Sequence, residues 1–253
     1  MPNWNTNRIA VLGKKEKVID FLNGGRLEEG QEQYKYDDDL NKVSFLDYSL
    51  RSWYPMPDTF KRWDTTNSKR DFKYYIQTEK MKEAMRLYDI PMTQEGKRNF
   101  PSIIRSMTED MLKDFEDDYK RYCDGYDRAV KYQKENYGCV GWYDYNCKTL
   151  GTKWDAEIEI TILHNTNKLT ALNLDCQTAW TYPDAWLKSI SQDYPDLTII
   201  CYTSEEGGEY CGYFNAREDK WIECFEGGEI DENKIWDDFE NYIGTMINEM
   251  ESD

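Results

Sequence analysis

The chain has 253 residues, enough to bury a sizeable core, and 15% of them are aromatic, which excludes a disordered protein although 32% are charged. The net charge of −17 at pH 7 argues against unaided binding to nucleic-acid phosphates. It suits a protein that binds a basic partner, or it serves only to keep the protein soluble. No apolar run approaches the roughly 18 residues that cross a bilayer, and no basic-then-apolar signal opens the sequence, so a soluble cytoplasmic protein is expected.

Residues 1–57 are predicted to begin with a strand and a helix. "NRIAVLG" alternates towards a buried strand that ends at Gly13, and "KKEKVIDFLNGG" has Val18, Phe21 and Leu22 at helical spacing before two glycines. "LEEGQEQYKYDDDL" reads as a polar loop. "KVSFLDYSLRSWYPMP" is strand-like until Pro55 and Pro57, which end any ladder.

Residues 58–136 are predicted to form a helical insertion. They are rich in charge and have apolar residues three and four apart, including a stripe of Ile103, Ile104, Met107, Met111, Leu112, Phe115 and Tyr119.

Residues 137–230 return to strand-like sequence from Gly138. "AEIEITILH" and "KLTALNLDCQTAW" form a hairpin around Asn165–Asn167, and "PDAWLKSISQDYP" is a short helix bounded by prolines. Two further strands join at Gly207-Gly208, and "KWIECFEGGEI" adds one more strand or edge. Residues 231–253 form an acidic C-terminal helix, whose apolar face comprises Ile235, Trp236, Phe239, Ile243, Ile247 and Met250.

This order predicts an α+β protein. With the insertion removed, the elements approximate a ferredoxin-like antiparallel sheet with helices on one face, followed by the C-terminal helix. The predicted domains are the ferredoxin-like part (1–57 and 137–230), the helical insertion (58–136) and the C-terminal helix (231–253).

Four stretches together resemble a known family: "MPNWNTNRIAVLG", "GWYDYNCKTLGTKWDA", "QTAWTYPDAWLKSISQDYPDLTI" and "YTSEEGGEYCGYF". They are similar to the YubB-type ferredoxin-like domain family, carried by phages and plasmids, over about residues 1–57 and 137–225. The chain departs from the family at Asn5, where members commonly have cysteine, and in its larger insertion and C-terminal helix. The resemblance implies the fold and a mobile-element origin, and it supplies no activity and no catalytic residues.

Two tryptophans within these motifs, Trp154 and Trp180, are predicted to lie in the core against the helix-covered face. Their replacement by alanine would then cost about 3–5 kcal/mol. Gly151 is expected to permit a turn at the strand entrance. In the alternative interpretation, Trp142, Tyr143, Trp154 and Trp180 form a platform on which a ligand stacks, as aromatic sheets do for single-stranded nucleic acid.

An enzyme hypothesis rests on one short pattern. Asp196 and Glu218 could hold a divalent metal, with Lys220 positioning the attacking water of a metal-dependent nuclease or phosphodiesterase. Glu218 and Lys220 would then share one face of a strand. Such patterns arise often by chance in acidic proteins, and no nucleophile or general-base motif accompanies this one, so no hydrolase activity is expected.

No cofactor and no metal are expected. The seven cysteines include no Cys-x-x-Cys pair, and His164 is the single histidine, expected to be structural or exposed. The oxygen atoms of Asp37–Asp39 or of Glu205–Tyr210 could bind a metal ion. The simpler interpretation is that the first segment is a solvated loop and the second a Gly-Gly turn between strands.

The C-terminal fifth carries most of the negative charge. From Ser204 to Asp253 there are 16 acidic and three basic residues, a balance of −13. This surface either keeps the protein soluble or engages a basic partner, since carboxylates spread along a helix and a sheet edge can approximate the charge density of a duplex. The candidate partner-binding residues are Glu205, Glu206, Glu209, Asp237, Asp238, Glu240 and Glu249.

The leading functional hypothesis is therefore a non-enzymatic phage or plasmid protein that binds and inhibits a protein in the cytoplasm of its bacterial host. The expected partner has a basic surface, for instance an antiviral defence complex that handles nucleic acid. The acidic surface would block such a complex by mimicking a nucleic acid. The alternatives are the metal-dependent nuclease or phosphodiesterase and a binding module for a small ligand or single-stranded nucleic acid.

Overall fold

The computed structural model describes residues 3–25, 48–63, 65–67, 69, 109–218, 220–226 and 231–252. They belong to two compact units, an α+β unit (Met1–Pro57 with Tyr143–Asp253) and a helical unit (Asp58–Trp142). The predicted loop with Asp37–Asp39, the residues Ile103, Ile104 and Met107, and Asp219 lie outside the described residues.

The strands are β1 (Trp4–Gly13), β2 (Tyr48–Ser49), β3 (Glu157–Asn165), β4 (Thr170–Ala179), β5 (Thr198–Glu205), β6 (Tyr210–Asn215) and β7 (Lys220–Glu226). They form one sheet in the order β2-β3-β4-β1-β5-β6-β7, and every neighbouring pair is antiparallel. The helices are α1 (Lys15–Gly24), α2 (Leu50–Trp53), α3 (Asp58–Arg62), α4 (Glu109–Tyr137), α5 (Gly141–Leu150), α6 (Asp184–Asp193) and α7 (Glu232–Ser252).

A ferredoxin-like core lies at the centre of this sheet. In chain order it consists of β1, α1, β3, β4, α6 and β5, and its strands are arranged as β3-β4-β1-β5. The predicted α+β class with an antiparallel sheet and a C-terminal helix is confirmed.

The central strand β1 is apolar on both faces because the sheet is covered on both. Ile9 and Val11 face one side, opposite Leu174 and Leu172 of β4, and belong to a core that α1 and α6 complete. Ala10 and Leu12 face the other side, where Ile235, Phe239 and Ile243 of α7 form a second core. The amphipathic C-terminal helix thus lies on the face opposite α1 and α6.

Two stretches predicted as strand form helices instead. Leu50–Trp53 is helical because Leu50 and Trp53 are both buried one turn apart, and Ser52 Oγ accepts the N–H of Ser49 at 2.9 Å. Gly141–Leu150 is helical although its aromatic residues favour strands by propensity. Asn146 and Leu150, four apart, are both buried, so tertiary packing decides against propensity.

The helical unit is organised around one buried amide, that of Gln133 on α4, which is 0% exposed. Its Oε1 accepts hydrogen bonds from Thr65 Oγ1 and from the N–H of Gly141, and its Nε2 donates to the Thr59 carbonyl at 3.1 Å. Phe60 and Tyr137 pack edge to face beside it. None of the described helices combines the length and apolar character needed to cross a bilayer.

Candidate functional site

The predicted orientation of the acidic C-terminal helix is confirmed. On α7, Ile235, Phe239 and Ile243 are buried, whereas Asp237, Glu240 and Glu249 are exposed and Asp238 is half-buried. At 3.6 residues per turn, Asp237 lies opposite the buried residues, whereas Asp238, Glu240 and Glu249 lie on the flanks of the helix. Their role in partner binding stays a prediction.

One of these carboxylates already has a basic neighbour. Arg8 on β1 pairs with Asp175 at 2.7 Å, approaches Glu240 to 3.8 Å and lies 4.1 Å from the centre of the Trp236 ring. Asp237, Asp238 and Glu249 have no ion pair within the part of the chain that the structure describes. Within the described residues, the unpaired carboxylates of α7 are therefore these three residues and Glu232 at its start.

Glu205 is not part of the acidic surface, contrary to the prediction. It is the last residue of β5 and only 2% exposed, because strand alternation turns its side chain towards the same face as buried Thr203 and Cys201. Its Oε2 accepts the N–H of Glu209 at 3.2 Å across the Gly207-Gly208 turn. Glu206 and Glu209 are exposed, as predicted.

Glu205 adjoins a buried polar network on that face. Asn5 lies opposite Glu205 in the β1–β5 pairing and accepts a hydrogen bond from the Tyr210 hydroxyl. Asn7, one pleat further, donates to Thr178 Oγ1 at 2.9 Å and accepts from Thr203 Oγ1 at 2.9 Å. Among the described residues, Asn5 Nδ2 and Glu205 Oε1 have no hydrogen-bond partner.

The structure shows local roles for the residues of the nuclease-like pattern. Asp196 forms an ion pair with Lys17 at 3.2 Å, and Glu218 lies in the turn before β7, so the expectation that Glu218 and Lys220 share a strand face is wrong. The described residues contain no group of three or more histidine, cysteine or acidic side chains placed to hold a metal.

His164 joins the hairpin to the end of α7. Its Nε2 lies 2.9 Å from Glu251 Oε1, which also accepts a hydrogen bond from Thr166 Oγ1. This agrees with the expected structural role.

The same contacts lower the pKa of Glu251, first through Thr166 and then through His164. A depressed carboxyl pKa stabilises the fold above the ordinary value of 4.5, and that stability is lost as pH falls through the lowered folded value. We therefore expect Glu251→Gln to lower the Tm at neutral pH, with the difference from wild type shrinking on acidification. Thermal melts of both proteins from neutral pH to below pH 4.5 measure this difference in Tm. A difference that does not change with pH would contradict the link between the Glu251 pKa and stability.

Three tryptophans and a lysine form an exposed cluster where β1 begins and β4 ends; we call Trp4, Lys153, Trp154 and Trp180 the tryptophan cluster. The Trp4 and Trp154 ring centres are 6.0 Å apart. Lys153 Nζ lies 4.6 Å from the centre of the Trp154 ring and 4.4 Å from that of Trp180. Tyr143 extends the cluster by an edge-to-face contact with Trp180 at 6.4 Å.

The prediction that Trp154 and Trp180 lie in the core is wrong. Trp180 is 47% exposed and Trp154 is half-buried. Continued alternation along β4 would have turned Trp180 inwards with Cys176 and Thr178. The strand ends at Ala179 instead, and Trp180 adopts φ +74°. The expected loss of about 3–5 kcal/mol on truncation belongs to fully buried aromatic residues.

Gly151 has the predicted role of permitting a turn. Its φ is +80°, and an added Cβ would lie 1.8 Å from Asp184 Oδ1. Only glycine fits there, so Gly151 sets the course of the loop that carries Lys153 and Trp154.

The structure brings Tyr143, Trp154 and Trp180 together as the platform hypothesis required, while Trp142 belongs to the helical unit. Sequence reasoning missed Trp4 and Lys153. The available signal was Trp4 itself, an aromatic residue at the polar start of a strand, and a lysine directly preceding a tryptophan.

Comparison with known proteins finds a similarity over part of the chain. Residues 151–245 match the family model described as the ferredoxin-like domain in Api92-like protein. The solved structure of the protein Api92 from Yersinia pseudotuberculosis is similar over 91% of this chain and 99% of its own, with 14% identity and a TM-score of 0.39. No curated protein matches the chain.

Proposed function

We propose that this is a non-enzymatic binding protein that engages and inhibits a host protein through its acidic C-terminal surface. The observation that carries the proposal is the outward arc of α7, on which Asp237, Asp238 and Glu249 form no ion pair among the described residues. Between residues 231 and 252 there are seven acidic residues and one lysine.

The chemistry of this arc favours a basic partner. Carboxylates held on a helix whose other face is packed present a fixed negative field, which attracts a basic surface and speeds encounter. A protein that handles nucleic acid offers such a surface, and the resemblance to YubB-type proteins of phages and plasmids supports an antiviral defence complex in the host cytoplasm as the target. Glu218 lies in a turn and Asp196 is paired with Lys17, so no observation favours the nuclease alternative.

Charge reversal on α7 tests the proposal. The full chain first captures its partner from host lysate, and association rates are then measured at two salt concentrations. The double variant Asp237→Lys with Glu249→Lys is expected to slow association by roughly tenfold at low salt, with a smaller effect at high salt because exposed charges are screened.

A matched control is available in the helical unit. Glu116→Lys with Asp117→Lys makes the same change in net charge at two exposed positions of α4 and should leave the rate nearly unchanged. Both doubles should keep the wild-type Tm, since all four side chains are exposed. Association insensitive to salt and to the α7 reversals would discard the acidic surface as the binding site.

A further inference from the structure

The tryptophan cluster presents aromatic surface that the fold does not bury. Trp4 is 39% and Trp180 47% exposed, whereas Trp186, on the helix that follows, is 0% exposed. Indole rings left at a protein surface contribute strongly to binding when a partner covers them, and tryptophan is enriched among the residues that dominate interfaces.

The backbone at Trp180 is held in an unfavourable conformation that keeps its ring outside. Its φ of +74° is the left-handed region, and Trp180 is the sole non-glycine residue with positive φ among the described ones. The Trp180 N–H donates to the Asn3 carbonyl at 2.9 Å, which fixes this geometry. Strain retained at an exposed bulky residue is characteristic of binding sites.

The electrostatics of the cluster favour a cation. Both Trp154 and Trp180 have the Lys153 ammonium within 4.6 Å of their ring centres, so the cluster already holds one cation supplied by its own chain. An exposed carboxylate adjoins the backbone of Trp4, since Glu206 Oε2 accepts the backbone N–H of Trp4 at 3.3 Å and the backbone N–H of Glu206 donates to the Trp4 carbonyl at 2.9 Å.

Indole faces beside a carboxylate are the groups that a guanidinium recognises, because arginine stacks on aromatic rings and donates to carboxylates in the same plane. We propose that the tryptophan cluster is the docking site for an arginine side chain of the basic partner protein, with Lys153 as the internal cation that the arginine displaces. This inference rests on the proposed function and assigns its short-range anchor, while α7 supplies the long-range attraction.

Single-stranded nucleic acid could stack on the same rings, but its phosphates are negatively charged, whereas arginine is positively charged. Bases would stack on the indoles, and their phosphates would need Lys153. Removing the lysine charge therefore separates the two partners: Lys153→Met should strengthen arginine binding and weaken binding of nucleic acid.

The experiment titrates the full chain with an oligoarginine peptide, an oligolysine peptide of the same length and oligothymidylate at near-physiological salt. We expect oligoarginine to bind more tightly than oligolysine. Trp180→Gly, which suits the left-handed backbone, should weaken oligoarginine binding by about tenfold or more at unchanged Tm. Tyr132→Ala, which removes a 50% exposed ring from the helical unit, should leave the Kd within about twofold.

Two results would overturn the inference. One is an unchanged oligoarginine Kd in Trp180→Gly, and the other is oligothymidylate binding that Lys153→Met weakens, which would make the cluster a nucleic-acid platform. If the α7 reversals slow partner association while Trp180→Gly has no effect, the proposed function is supported and the arginine site at the tryptophan cluster is rejected. If only Trp180→Gly has an effect, the arginine site is supported and the acidic surface of α7 is rejected as the binding site.

Discussion

Trp186→Ala is expected to lower the free energy of unfolding by about 3–5 kcal/mol. Trp186 is 0% exposed at the centre of the core between α6 and the sheet, and it packs edge to face on Trp53 with ring centres 5.5 Å apart. Its Nε1 donates to the Leu50 carbonyl at 3.0 Å. Truncation opens a cavity and removes this buried hydrogen bond, and both effects destabilise the protein.

Urea unfolding of the full chain measures this loss, with Trp180→Ala as the matched control. Trp180 is 47% exposed, so the same chemical change should cost far less than at Trp186. Equal losses at the two positions would contradict the assignment of Trp186 to the core and of Trp180 to the surface.

Gly151→Ala is expected to destabilise the protein by at least about 2 kcal/mol. The left-handed backbone at φ +80° disfavours any side chain, and the new Cβ would lie 1.8 Å from Asp184 Oδ1 and 2.8 Å from the backbone nitrogens of Asp184 and Ala185. Because those nitrogens belong to the start of α6, the clash cannot be relieved by a side-chain rotation alone.

Gly208→Ala provides the control for backbone strain. Gly208 has a similar φ of +73°, and an added Cβ would meet nothing within 4 Å, so this substitution should cost only about 1–2 kcal/mol. The difference between the two variants, read from urea midpoints at equal m-value, isolates the steric contribution. A Gly151→Ala variant no less stable than Gly208→Ala would show that α6 yields to the clash.

Periodicity was a sufficient guide wherever both faces of an element have clear neighbours. The apolar run of β1, the hairpin of β3 and β4, and the apolar face of α7 follow directly from residue spacing. It failed at Gly141–Leu150, which lies in the predicted strand-like region that begins at Gly138, whereas the buried pair Asn146 and Leu150 selects a helix.

Misjudged strand ends account for the errors at Glu205 and at Trp180. Strand β5 includes Glu205, two residues before the Gly207-Gly208 turn, and strand alternation buries its side chain. Strand β4 ends at Ala179, one residue before Trp180, and the Trp180 ring is therefore exposed. A shift of one residue exchanges the two faces of a strand, so exposure at strand ends is the property that sequence pattern determines least.

The position of β1 has a consequence for folding during synthesis on the ribosome. This strand lies at the centre of the sheet, yet Gly13 pairs with Thr170, 157 residues later, and its other edge pairs with the still later β5. At ~5–20 residues per second, a nascent β1 waits roughly ten to thirty seconds for its first partner. During that interval its apolar run and both unpaired edges are open to misassociation, so productive folding depends on completing nearly the whole chain or on a chaperone that covers β1 until then.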